Sequence, residues 1–83
     1  MTRAQYLRKQ AEWLRDQQVR LGLTLREIAD GIGVSEGAVS TWIRANSIMS
    51  GLAEHKLKEF FRRAWRERER EATEQAARAE AQQ

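Results

Sequence analysis

The sequence predicts an all-α domain of four helices, the last of them extended by a charged tail. Three observations predict it. Proline and cysteine are both absent, so long helices can run unbroken and no disulfide or thiolate framework shapes the fold. Apolar residues recur at spacings of three, four and seven rather than alternating. Glycine, serine and threonine fall between these periodic stretches, where helices stop and start. A chain of 83 residues also allows only one small core, with little apolar surface left for a deep catalytic cavity.

The first helix is expected over residues 3–21. Leu7, Ala11, Leu14 and Leu21 share one stripe, and Tyr6 and Trp13 lie seven apart on a neighbouring face. Gly22 ends it, because glycine takes the left-handed conformation after a helix at little cost. Thr24-Leu25-Arg26-Glu27 then fits a capping box, opening a second helix with Leu25, Ile28, Ala29 and Ile32 as apolar positions and a stop near Gly33. Ser35 caps a third helix, residues 36–44, with Val39, Trp42 and Ile43 pointing inward or partly inward. Residues 45–51 have loop and capping character, and Ser50 starts the last helix. Its expected core face is Leu52, Ala53, Leu57, Phe60, Phe61, Ala64 and Trp65.

After Trp65 no large apolar residue remains, and residues 66–71 alternate Arg with Glu. Opposite charges at helical spacing (Arg63–Glu67, Arg66–Glu69 and Glu67–Arg70) favour helix without a buried face. The division expected is therefore a folded domain over 1–65 and a solvated helical extension over 66–83, fraying towards Gln83.

Charge alone decides little. Lys plus Arg number 15 against 12 Asp plus Glu, a net charge of +3, which leans mildly towards nucleic acid or acidic lipid. Most of the cations are Arg, suited to bidentate phosphate and guanine contacts. The apolar runs are too short to span a membrane or to form a secretory segment, so Met1 reads as the start of a cytoplasmic protein. His55 is the only histidine and has neither cysteine nor a carboxylate motif to join it. No nucleophile–base pair, metal set or phosphate loop is visible, so the expectation is a non-enzyme without metal, cofactor or small-molecule ligand.

The informative segment is residues 25–44. Two short helices crossing steeply over a tight turn need a small residue at the crossing, supplied by Ala29, and a turn residue tolerant of positive φ, supplied by Gly33. Val34 is the apolar plug and Ser35 the cap. Ile28 and Ile32 face Val39 and Trp42. On these residues and Leu25 and Ser40, the segment resembles the helix-turn-helix of the lambda-repressor/Cro-like DNA-binding family, over roughly residues 10–62. Two positions depart from that pattern. Gly31 sits in the last turn of the first motif helix at about 1 kcal/mol against alanine, and Gly37 stands where a longer polar side chain often reads a base.

The resemblance implies that helix 36–44 lies in the major groove of double-stranded DNA. Its outward residues Glu36, Gly37, Ser40, Thr41 and Arg44 become the base-contact candidates. Arg44 suits guanine or phosphate, the Thr41 methyl suits thymine, and Glu36 could accept from a cytosine amino group. Thr24, Arg26, Ser35, Asn46 and Ser47 are the phosphate candidates, placed at helix ends. Trp42 and Trp65 read as core, whereas Trp13, with Tyr6, either covers the core or forms a dimer patch. The function implied is a small sequence-specific transcriptional regulator acting as a homodimer on a palindromic operator. A DNA-packaging adaptor of small-terminase type and a helical protein-interaction module are the alternatives.

Overall fold

A computed structural model describes residues 1–82. Four helices follow one another: α1 (Arg3–Leu21), α2 (Leu25–Ile32), α3 (Glu36–Ile43) and α4 (Gly51–Ala81), with no strand among the described residues. Each start is fixed by a hydroxyl that accepts from the backbone three residues on. Thr24 and Ser50 do so for α2 and α4, and Thr24 completes its capping box with Glu27. Ser35 does so for α3. Thr2 and Gln5 form a further capping box at the head of α1, one that the sequence pattern had not suggested.

The ends are as legible as the starts, with one exception. Gly22 (φ 65°) and Gly33 (φ 76°) adopt the left-handed conformation that closes α1 and α2. After α3 the same closure forms without glycine. The N–H of Ala45 donates to Trp42 O at 3.1 Å and that of Asn46 to Thr41 O at 3.0 Å, with Ala45 itself at φ 60°. The third helix therefore ends at Ile43 with Arg44 as its cap, one residue earlier than expected.

α2 and α3 pack on each other, α1 packs on α3, and α4 closes the other side against α2 and α1. Their buried side chains form one cluster: Leu14 and Leu21 from α1, Ile28, Ala29 and Ile32 from α2, Val39 and Ile43 from α3, Met49 from the loop, and Ala53, Leu57 and Phe61 from α4. Trp13 settles over this core. Its ring meets Phe61 edge-on, 5.5 Å between centroids at 75°. Trp42 and Trp65 are half-buried against the cluster, and the Trp65 indole N–H donates to Gln17 Oε1 at 2.8 Å. Leu52 is the correction: expected in the core, it is 66% exposed. Position 52 lies in the first turn of α4, and the core stripe begins one residue later at Ala53.

Gly31 has a packing reason. A Cβ built there would collide with the Phe60 ring, so α4 lays an aromatic ring on the bare backbone of α2. Gln10 is the one buried polar residue among those described, and its amide is used at both ends. Its Oε1 accepts from the backbone N–H of Met49 and its Nε2 donates to the Tyr6 hydroxyl, each at 3.2 Å. One α1 side chain thereby holds the loop between α3 and α4.

From Arg66 to Gln82 every residue is exposed, and α4 runs on as far as Ala81. The fraying expected at Gln83 lies outside the described residues. Of the three ion pairs expected, Glu67–Arg70 forms, and that hydrogen bond raises the already high pKa of Arg70. Arg63–Glu67 and Arg66–Glu69 do not form. Glu67 is taken by Arg70, and an exposed pair at this spacing is worth too little to impose a geometry. The extension is also tied down near its root. Arg68 donates through Nη1 to Arg20 O and through Nη2 to Leu21 O, both at 2.7 Å, while its guanidinium lies 5.9 Å from the Trp65 ring centroid. An arginine of the extension thus satisfies the last carbonyls of α1.

Candidate nucleic-acid interface

Val39 and Ile43 anchor α3 to the core, and this fixes which face the helix turns outward. At 100° per residue, Gly37, Thr41 and Arg44 fall opposite those anchors with Ser40 at their edge. Glu36, three before Val39 and seven before Ile43, falls on the anchors' side and is exposed because it stands in the first turn. Glu36, Gly37 and Arg44 are exposed, and Ser40 and Thr41 are half-buried. Four of the five base-contact candidates, Gly37, Ser40, Thr41 and Arg44, therefore share one outward strip, and Glu36 stands apart from it at the head of the helix.

Local bonding restricts what each can offer. Thr41 donates its hydroxyl proton to Gly37 O at 2.9 Å, so its methyl and an oxygen lone pair are what remain. A Cβ added at Gly37 would meet only Ser35 Oγ, 3.9 Å away, so open space lies above it and no packing demands glycine there. Arg44, one residue beyond the helix, enters no ion pair among the described residues.

Both helix starts carry a carboxylate in the first turn, Glu27 in α2 and Glu36 in α3, but they differ in its bonding. At α2, Glu27 accepts from the Thr24 N–H at 3.0 Å, which brings a carboxylate to the positive end of the helix. At α3, Ser35 accepts from Ala38 N–H at 3.1 Å with no carboxylate reaching back to the cap. The backbone N–H groups of Glu36 and Gly37 stay open. Of the phosphate candidates, Thr24, Arg26, Ser35 and Asn46 are exposed and Ser47 is half-buried. Ser35 stands at the head of α3 and Asn46 and Ser47 beyond its exit, while Thr24 and Arg26 stand at the start of α2, so the five do not gather in one pocket.

Residues 2–83 match the family described as Sigma-54, DNA binding domain. The chain belongs to the sigma-54 DNA-binding domain family. Neither the curated proteins nor the solved structures contain a match. The sigma-54 assignment supports a DNA-binding domain of regulatory type and does not single out the lambda-repressor/Cro-like branch. It also spans the charged extension, which lies outside the resemblance over residues 10–62.

Charge distribution in this sigma-54 DNA-binding domain fits an anionic partner better than the whole-chain figure suggests. Residues 1–65 hold eleven Lys and Arg against seven Asp and Glu, whereas the extension holds four Arg against five Glu. The packed helices carry the positive excess. Sequence reading missed Arg8 and Arg15 on α1, which line a shallow groove with Arg44 and Ala45 beside the end of α3. Their seven-residue spacing was the available signal, since it puts both on one face of α1. Elsewhere His55 is exposed, and among the described residues no helix is long and apolar enough to cross a membrane.

Proposed function

We propose that α3 is a recognition helix entering the major groove of double-stranded DNA, and that the chain is a small sequence-specific regulator of transcription. The observation that carries this is the outward strip of Gly37, Ser40, Thr41 and Arg44 on α3, held by Val39 and Ile43, in a member of a DNA-binding domain family. Arg44 is suited to a guanine edge, Thr41 offers its methyl to thymine, and Ser40 and Glu36 supply a hydroxyl and a carboxylate acceptor. Gly37 leaves room for the groove wall to approach. Thr24, Arg26, Ser35, Asn46 and Ser47 set the register through phosphates. Binding is the whole activity in this reading, with no catalysis and no cofactor, inside the cytoplasm.

An eight-residue helix reaches only a few base pairs, so specificity requires a second reading unit. A homodimer on a two-fold site is the arrangement we propose, with half-sites spaced by about one helical turn.

Selection of bound duplexes from a random pool at near-physiological salt tests the function directly. Enrichment of a defined motif is expected, with Arg44→Ala relaxing one position at a cost of about 1–3 kcal/mol. Equal recovery of every sequence would defeat the reading. Light scattering on the protein–DNA complex counts the protomers on that motif.

A further inference from the structure

The groove between α1 and the exit of α3 has a composition that the outward strip of α3 does not account for. Arg8, Arg15 and Arg44 all line it, with Ala11 and Ala45 giving it a low floor. All three guanidiniums are on exposed residues, and none is engaged in an ion pair among the described residues. This contrasts with Arg20, Arg62 and Arg70, each of which is paired to a carboxylate within its own helix. Glu12 lies in the same groove, three or four residues from Arg15 and Arg8, yet it pairs with neither. Three cations against one anion leave the groove positive.

Its geometry suits a chain of negative charges better than a single anion. Arg8 and Arg15 are seven residues apart on α1, about 10 Å along the axis. Duplex DNA presents one phosphate about every 3.4 Å of axis on each strand, so that span covers several phosphates. Arg44 belongs both to this groove and to the outward strip of α3, which joins the two surfaces without a gap.

We propose that Arg8 and Arg15 form a phosphate-binding rail on α1 that grips the DNA strand flanking the groove entered by α3, with Arg44 at the junction. This rests on the reading of α3 as the recognition helix. The rail supplies affinity without sequence preference and adds α1 to the binding face.

The test uses the full chain and two labelled duplexes, one carrying the selected motif and one scrambled. Affinity is measured by fluorescence anisotropy between about 50 and about 200 mM salt. Arg8→Ala and Arg15→Ala are each expected to weaken both duplexes alike, by about five-fold near 0.15 M salt, and to lower the slope of log K against log salt by about 0.9. The double variant should lose about 1.8 in slope with the ratio between duplexes unchanged. Arg8→Lys and Arg15→Lys should keep most of the slope. Arg66→Ala/Arg78→Ala removes the same charge from the extension and should leave the slope in place. A double variant with the slope of the parent, or a control that loses as much, overturns the rail while leaving α3 as the reader. If the parent binds neither duplex, both proposals fall together. Circular dichroism of each variant separates lost contacts from lost fold.

Discussion

Ala45→Gly should stabilise this protein, although it removes a methyl group and adds backbone freedom. Ala45 stands at φ 60° in the closure after α3, where Gly22 and Gly33 stand after α1 and α2. A left-handed conformation costs a residue with a Cβ about 1–2 kcal/mol, and glycine escapes that cost. Against this, glycine has more freedom to lose on folding, about 0.5–1 kcal/mol. The half-buried methyl contributes a few tenths more at most. The net expected is a gain of about 0.5–1 kcal/mol, which at this chain length raises Tm by about 2–8 °C. Thermal melts and urea titrations of the two proteins measure it, with an unchanged m-value showing that stability alone has moved. Gly22→Ala and Gly33→Ala provide the opposite sign, each losing about 1 kcal/mol or more. A lower Tm for Ala45→Gly would refute the argument, because it would mean that Ala45 carries no left-handed strain to relieve.

Other substitutions test the packing and the polar contacts. Gly31→Ala gains about 1 kcal/mol of helix propensity but drives a methyl into the Phe60 ring, so a net loss of about 1 kcal/mol is expected, and Phe60→Leu in the same chain should recover most of it in thermal melts. Gln10→Leu leaves the buried Met49 N–H without an acceptor and should cost about 1–3 kcal/mol, with hydrogen exchange accelerating at Met49 first. A stop after Glu71 should melt within about 0.5 kcal/mol of the full chain. A stop after Trp65 should lose about 1 kcal/mol more, because it removes the Arg68 contacts to the end of α1.

The helices were legible because their ends are chemical. Thr24, Ser35 and Ser50 cap as expected, and Gly22 and Gly33 close two of the turns, since local hydrogen bonding and φ preference act within a few residues. The third closure was hidden, because it places Ala45 in a conformation its own side chain disfavours, and its backbone bonds to Trp42 and Thr41 carry no residue-type mark. Leu52 misled for a related reason: periodicity identifies a stripe, but only the contacts at the start of α4 decide where the stripe begins. Gln10 and Arg68 lay beyond sequence reading altogether. Their partners are the loop N–H of Met49 and the carbonyls of Arg20 and Leu21, distant in the chain and unmarked by residue type. The outward strip of α3 followed from its inward anchors. The groove with Arg8 and Arg15 did not, since it exists only once α1 is laid beside α3.

The Gln10–Met49 bond has a mechanical consequence. Gln10 sits between Arg8 and Arg15 on α1, and the loop it holds is the one that leads away from Arg44. The two sides of the proposed binding face are thus clamped at a set separation before any DNA arrives. A protein gauged in this way spends little conformational entropy on docking. Any mismatch between its spacing and the duplex must then be absorbed by bending or narrowing the DNA, whose stiffness depends on sequence. Base pairs that α3 never touches would influence affinity through that stiffness.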